Sequence, residues 1–486
     1  MSVPRGFISG LMPGDRLRLL LEEPENEQNT SIIKINEASF GIFDFFNVSK
    51  YSSRLNSGNP CWGFDCSASC NINIACTSSL DLESKAVALV LIKNQSNNNY
   101  SIRGTGTLIN NGYQDRKFLF ITASHIYNSF EWDNNSQFVF HYKSLQCSPT
   151  TNGSLTIYVQ GATNIIPTGQ GHTDLKLVEL KVGSGGNPLF ASNPVSFLGW
   201  SIIDELSAVQ SIHHPRGDVQ KLLTGTNVQV YNETISFGNY NYWKFTLASG
   251  IIESVSSGSP ILNVSKRLIS TIRGRVGGTP EFSCGGANEN AIGGRISASW
   301  PAFCQFLDPG NEGIVAINTI PYSSGTSLKV FPSATGPNNV CNTGSFTLTN
   351  APLDIPISWE IIQGANLFSG ATSGTSKTAT LNVLNQSVYG SARIRFTVQA
   401  MCGVKQYIMN FTVGKPNTTA GISGGTLVYS GSQIVYSIPP VPGATSYNWQ
   451  LPMGWSGGGN GLGNSITVTV GSSSGNVTVV PVNSCG

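Results

Sequence analysis

The sequence predicts an all-β protein built from several units. Short apolar runs alternate with period two, as in Leu175-Lys176-Leu177-Val178-Glu179-Leu180, and clusters of Asn, Gly and Ser separate them. Helical periodicity is almost absent until residues 299–307, where one short closing helix is expected. The C-terminal third also carries an imperfect repeat. Ile357-Ser358-Trp359-Glu360 leads to Met401-Cys402-Gly403, and Tyr447-Asn448-Trp449-Gln450 leads to Ser484-Cys485-Gly486. Each copy is long enough for a seven-stranded sandwich around a core tryptophan.

A length of 486 residues suggests about three domains. A net charge of +2 with 11% charged residues gives no electrostatic case for a nucleic-acid or anionic-membrane partner. No stretch is apolar enough to span a bilayer. Met1-Ser2-Val3-Pro4-Arg5-Gly6 does not begin a signal peptide, because no apolar core follows. The ten cysteines nevertheless point to an oxidising, extracellular setting. A fragment, or a start codon placed too late, would reconcile the two. No metal or other cofactor is expected. His213 and His214 are adjacent on a strand and point to opposite faces, and no closed metal-ligand spacing occurs elsewhere.

In chain order, residues 1–57 read as short strands and turns, including Arg16-Leu17-Arg18-Leu19-Leu20-Leu21 and Ser31-Ile32-Ile33-Lys34-Ile35-Asn36. Residues 58–312 hold the chemistry. Glu253-Ser254-Val255-Ser256-Ser257-Gly258-Ser259-Pro260-Ile261 is a small, flexible turn running into an apolar strand, and it holds a hydroxyl on its tip. A serine nucleophile needs that placement, since its oxygen is weak until a base and an oxyanion-stabilising turn surround it. Alone, the pattern reads as a plain loop. Upstream, Phe120-Ile121-Thr122-Ala123-Ser124-His125 is an apolar strand ending in a histidine, and His172-Thr173-Asp174 puts an acid at the start of another strand. Singly, His125 reads as a satisfied strand-end histidine and Asp174 as a turn cap. Together the order His125, Asp174, Ser257 is that of chymotrypsin-type enzymes, not of subtilisins or α/β-hydrolases.

With these residues the chain resembles the bacterial lysyl endopeptidases, secreted serine proteases with a trypsin-like double β-barrel. The likeness runs from about Cys70 to Pro309. It includes Ser69-Cys70-Asn71-Ile72-Asn73-Ile74-Ala75-Cys76, Gly106-Thr107-Leu108-Ile109-Asn110-Asn111, His213-His214-Pro215, the Ser256–Pro260 turn, and Gly294-Arg295 with Ser299-Trp300. The resemblance implies two six-stranded barrels with the site in the cleft between them, and protein or peptide substrates. Ser257 then attacks the scissile carbonyl, His125 relays its proton, and Asp174 orients the imidazole. Residues 1–57 are expected to be the end of a propeptide. Ser256 stands where animal trypsins place the aspartate that captures a freed N-terminus, so activation is expected without that internal ion pair.

The same resemblance pairs Cys70 with Cys284 and Cys76 with Cys147. A third family bridge is lost, its ends falling on Gly104 and Ile126. A local Cys61–Cys66 bridge is expected, and Cys304 has no evident partner. Residues 327–415 and 416–486 resemble PKD-like, immunoglobulin-like modules, the second cut short, with a cell-surface, polysaccharide or protein ligand. Cys341 with Cys402 is expected to cross-link the first module, and Cys485 is left without a partner.

Two departures from the family bear on function. The residue two before the nucleophile, whose N–H joins that of Ser257 in the oxyanion hole, is glycine in trypsin-like enzymes and Val255 here. A β-branched residue resists the backbone conformation required, at about 1–3 kcal/mol. A flipped turn would lose a donor, typically about 10²–10³ in turnover. In the specificity pocket, the aspartate that pairs with a substrate lysine is replaced by Ala291, and the trypsin position is Ile251. Glu289 is near enough to replace that acid if the loop differs, but reads more readily as an exposed turn residue, and Arg273 disfavours a cationic side chain. A small, apolar or acidic preference is therefore expected, not lysine. Two functions follow: a secreted serine endopeptidase, or an impaired protease homologue acting as an extracellular binding or adhesion protein.

Overall fold

The computed structural model describes residues 62–93, 100–127, 135–148, 151–166, 173–182, 188–203, 207–235, 238–276, 284–285, 289–385, 388–399, 402–417, 421–457 and 463–486. The expected propeptide segment 1–57 and Cys61 lie outside them. The chain divides into two compact units. One runs to Phe331 and takes in Pro352–Asp354; the other holds the remaining C-terminal residues.

The first unit contains two barrels. Strands Val87–Lys93 (β1), Tyr100–Leu108 (β2), Leu119–Ala123 (β3), Ser136–Phe140 (β4), Tyr158–Gln160 (β5), Ala162–Asn164 (β6) and Leu175–Leu180 (β7) pair in the order β5-β4-β1-β2-β3-β7-β6. Only Gly161 separates β5 from β6, so these two act as one bent strand and close a six-membered ring. Phe120, Phe138 and Phe140 fill its interior, with the Phe120 and Phe138 ring centroids 4.8 Å apart. The β1 run Val87-Ala88-Leu89-Val90-Leu91-Ile92 is buried at every position. One face of it enters the barrel. Leu89 and Leu91 join a second cluster with Val139, Tyr142, Leu155, Val219 and Val255, outside that barrel's own core.

The second barrel uses Ala208–His213 (β8), Lys221–Ile235 (β9), Gly238–Ser249 (β10), Pro260–Leu262 (β11), Leu268–Arg275 (β12) and Asn290–Arg295 (β13). The pairings β11-β8-β9-β10-β13-β12 return to β11 through an antiparallel β11–β12 contact, which closes six strands. Val209, Leu223, Trp243, Phe245, Ile261 and Ile272 form its core. The expected helix spans Trp300–Leu307 (α1) and buries Trp300, Phe303, Cys304 and Leu307.

The second unit is a β-sandwich followed by a smaller β module. Thr343–Thr349 (β14) and Thr378–Val383 (β16) belong to a four-stranded sheet. Ile357–Gln363 (β15), Gly390–Val398 (β17) and Lys405–Val413 (β18) belong to a five-stranded one. Trp359, Phe346, Ile394, Phe396 and Phe411 lie buried between them. In the last module, Gln433–Ser437 (β19) and Ser465–Thr469 (β21) lie in a three-stranded sheet, and Ser446–Gln450 (β20) pairs with Thr478–Val482 (β22). Its repeat tryptophan, Trp449, is only partly buried, at the margin of a Tyr436, Ile466 and Val468 cluster. A seven-stranded second sandwich is thus not seen among the described residues.

The bridges Cys70–Cys284 and Cys76–Cys147 form as expected. The Cys341–Cys402 expectation is corrected: Cys341 bonds Cys485, with Cα atoms 5.1 Å apart. Register explains the change. Val340 sits beside Val413 at the far end of β18, whereas Cys402 precedes its first residue, Lys405. At about 3.3 Å per residue the length of β18 separates the two sites by roughly 25 Å or more, far beyond disulfide reach. Asn339 Nδ2 donates to Ser484 Oγ at 3.1 Å, which brings the last residues to Cys341 instead. Cys485 therefore has a partner, and Cys304 is disulfide-bonded too, as are Cys66 and Cys402. No cysteine is free among the described residues.

Candidate active site

The end of β3, the start of β7 and the turn before β11 bring His125, Asp174 and Ser257 together. His125 Nδ1 lies 2.7 Å from Asp174 Oδ2, and Nε2 lies 2.9 Å from Ser257 Oγ. The Asp174 side chain is 5% exposed and that of His125 34%, so the ring bridges a buried carboxylate and an open hydroxyl. Asp174 adopts φ +60, a left-handed conformation that aspartate tolerates better than most residues. This curls it around the histidine turn. Its carbonyl accepts the Ser124 N–H at 2.7 Å and Oδ1 accepts the His125 N–H at 2.9 Å. The neighbouring Thr173 hydroxyl bonds to Ser299, and a Cβ at Gly294 would come within 1.7 Å of the Thr173 carbonyl oxygen. The Gly294-Arg295 and Ser299-Trp300 motifs thereby support the Asp174 turn.

The Ser257 turn is fixed carbonyl by carbonyl. Ser254 O accepts the Arg216 N–H at 2.7 Å, Val255 O accepts Thr105 Oγ1 at 2.9 Å, and Ser257 O accepts the Thr105 N–H at 2.9 Å. Ser256 Oγ contacts His213 Nδ1 at 2.9 Å and accepts the Glu253 N–H at 3.2 Å. Glu253 is itself buried. It pairs with Arg216 Nε at 2.7 Å and accepts the Ala68 N–H and Asn71 Nδ2. Gly258, at φ +85, passes 2.1 Å from Thr122 Oγ1 at the position a Cβ would occupy, so no larger residue fits there.

Val255 adopts φ +77 and is 6% exposed. A left-handed backbone costs a β-branched residue on the order of 1–3 kcal/mol. Burying its isopropyl group among Leu89, Leu91, Val139, Tyr142, Leu155 and Val219 returns about 1.5–3 kcal/mol. The two magnitudes match, so the turn holds a glycine-like backbone without glycine. Neither the Val255 nor the Ser257 N–H donates to a protein acceptor among the described residues.

The residues expected around a specificity pocket are placed differently from one another. Arg273 Nη1 lies 3.3 Å from Asp174 Oδ2, and its guanidinium sits 5.6 Å from the centre of the Tyr242 ring. It thus shares the carboxylate with His125. Ile251 and Ala291 belong to the second barrel's apolar core, at 6% and 0% exposure. Glu289 is half-buried and its carbonyl accepts the Leu247 N–H. Burial pushes His213 down to about 3 and His214 down to about 4, each further influenced by nearby charge. Both are neutral, hydrogen-bonded core groups. No cluster suited to a metal occurs among the described residues.

Sequence reading missed Thr105, whose position between Gly104 and Gly106 was the only local sign, and the anchoring role of Glu253 and Arg216. Gly104 and Ile126, where the resemblance placed the ends of a lost bridge, are neighbours in the fold. A Cβ at Gly104 would meet Ile126 Cδ1 at 2.8 Å, so the isoleucine side chain occupies the space next to Gly104.

Residues 64–292 match the family described as lysyl endopeptidase, C-terminal domain, and residues 415–486 match the PKD-like domain family. A lysyl endopeptidase from Pseudomonas aeruginosa is 30% identical over 299 residues, covering 59% of this chain and 59% of that protein. The chain therefore spans less than two thirds of that relative. Among solved structures, the active form of the Rv3671c protease from M. tuberculosis aligns at 11% identity and a TM-score of 0.31. That alignment covers 50% of this chain and 88% of that one. The Vibrio cholerae VesB protease aligns at 8% identity and a TM-score of 0.28, covering 68% and 96%. Residues 64–292 are thus similar to the lysyl endopeptidases, as their motifs predicted, and residues 415–486 to PKD-like domains.

Proposed function

We propose that the first unit is a serine endopeptidase acting through an acyl-enzyme. The observation that carries this reading is the His125 ring, within hydrogen-bonding distance of both Ser257 Oγ and Asp174 Oδ2. In this reading His125 Nε2 takes the Ser257 proton as Oγ attacks the substrate carbonyl, and then delivers it to the leaving amine. Asp174 holds the imidazole and stabilises its charged form. Water, deprotonated by the same ring, then hydrolyses the ester on Ser257. The N–H groups of Val255 and Ser257 receive the oxyanion. In a planar trans peptide the N–H points opposite the preceding carbonyl. Ser254 O is held by Arg216, which keeps the Val255 N–H directed the other way.

Ala291 and Ile251 offer no charge to a substrate lysine, and the Arg273 guanidinium is engaged by Asp174. A non-cationic side chain before the scissile bond is the preference proposed. The unit works outside the cell, where its disulfides persist, and the PKD-like module holds a surface or polymeric ligand.

The second reading, a protease homologue that binds without turnover, is favoured by one observation: a valine at φ +77 where glycine would carry no strain. Labelling of the full chain with a fluorophosphonate separates the two. Labelling of the wild type that disappears in Ser257→Ala supports the endopeptidase; a wild type that stays unlabelled supports the binding protein.

A further inference from the structure

Val255 is more than a tolerated replacement. Its side chain sits in a cluster contributed largely by the first barrel, where His125 follows β3 and Asp174 precedes β7, while its backbone belongs to the Ser257 turn of the second. Leu89 and Leu91 of β1, Val139 of β4, and Tyr142 and Leu155 receive it, with Val219 from the segment before β9. Val255 is 6% exposed, Tyr142 2% and Val219 0%, so the isopropyl group is largely withdrawn from solvent. The backbone on either side is already pinned by Arg216 and Thr105. A glycine at this position would ease the backbone and remove the only side chain by which the turn enters that cluster.

Resting on the endopeptidase reading above, we infer that Val255 is a positioning residue. Its side chain locks the Ser254–Ser257 turn to the first barrel, so that the two N–H donors and the Ser257 hydroxyl stay in register with His125. The residue that departs from the usual glycine is therefore what makes the donor pair rigid in this chain. No bond is made or broken by Val255; it acts through the orientation of the peptide planes that flank it. Two features of the turn agree with a preset arrangement. Ser256 Oγ is held by neutral His213 instead of an acid awaiting a new ammonium group, and Glu253 is already paired with Arg216.

The test compares the full-length wild type with Val255→Gly, Val255→Thr and Val255→Ile. Steady-state peptide hydrolysis, inhibition by a peptidyl trifluoromethyl ketone and thermal melts are measured for each. The ketone forms a tetrahedral adduct whose oxyanion needs the same donors as the transition state. Val255→Gly is expected to lower kcat by roughly 10–100-fold, short of the full loss of a donor, with KM changed by less than about 2-fold. Ketone affinity should fall in parallel. Val255→Thr keeps the shape and the backbone strain but places a hydroxyl in the apolar seat, and should lose kcat in the same way. Val255→Ile should retain most of it. A merely structural role would move the melting temperature and leave the kcat-to-KM split and ketone affinity alone, and that result overturns the inference. So does a Val255→Gly enzyme as fast as the wild type; if that variant does not fold, an undiminished Val255→Thr has the same force. A wild type that neither hydrolyses peptides nor takes up a fluorophosphonate overturns the endopeptidase reading and the inference together, which distinguishes the two failures.

Discussion

The two units bury different kinds of side chain. Of the polar and charged residues buried among the described positions, all but Thr397 lie in the first unit. Asp174, Glu253, Asp218, Lys221, His213, His214 and Arg295 are among them. The second unit is held by ordinary apolar layers such as Phe346, Phe396 and Phe411, and its ion pair Arg395–Glu360 lies at the surface. Burying polar groups costs free energy unless every partner is supplied. In the first unit such groups hold one another in place, as Glu253 holds Arg216 and Asp174 holds His125, whereas the second unit relies on apolar packing. The contrast is sharp enough to be broken by measurement.

The largest effect is expected at the carboxylate. Asp174→Asn keeps a residue that accepts a left-handed backbone, yet removes the charge that in the proposed mechanism fixes the imidazole tautomer. Peptide hydrolysis should fall about 10⁴-fold in kcat with little change in the melt. A variant with more than a tenth of wild-type turnover would remove Asp174 from the mechanism and weaken the contrast between the units.

Next in size is a change confined to the scaffold. Cys341→Ser opens a bridge between residues 144 apart and should destabilise the second unit by about 4 kcal/mol. Unfolding in denaturant reads the loss, and hydrolysis by the first unit should be unchanged. Coupled loss of activity would show the two units to be one cooperative body.

The smallest effect concerns pH. Burial holds His213 and His214 below the unfolded value of about 6.5. The unfolded chain therefore binds more protons than the folded one as pH falls below 6.5, so their contribution is complete above that pH and is lost progressively toward about 4. Between pH 6.5 and 5.5 linkage gives about 2 kcal/mol for the pair, because at those pH values both stay neutral when folded. Denaturant midpoints of the first unit should drop over that interval while those of the second unit hold. Parallel drops in both would mean that the buried histidines are not the cause.

Much of the first unit was legible because local patterns and long-range roles coincide there. An apolar strand ending in His125 and a serine in a small-residue turn each advertise a position, and barrel strands advertise their alternation. What escaped were contacts set by register between distant strands. Arg273 sits sixteen residues past Ser257, and nothing near it in the chain says that it will reach Asp174. Cys402 is a plausible mate for Cys341 until β18 is laid down and carries them to opposite ends. Val255 read as a defect because the sequence shows its backbone burden but not the six apolar side chains that offset it.

The segment Pro352–Asp354 has a practical consequence for anyone shortening the protein. It leaves the sandwich and returns to the first unit, where the Leu353 N–H donates to Ile202 O and Asp354 pairs with Arg295 and accepts Ser297 Oγ at 2.7 Å. The Arg295 side chain is 3% exposed and its guanidinium lies 4.3 Å over the Trp243 ring. A chain ended at Phe331, where the first compact run of residues stops, would strip the carboxylate from that guanidinium and uncover part of the barrel wall. The first compact unit therefore includes three residues that lie inside its neighbour's stretch of sequence.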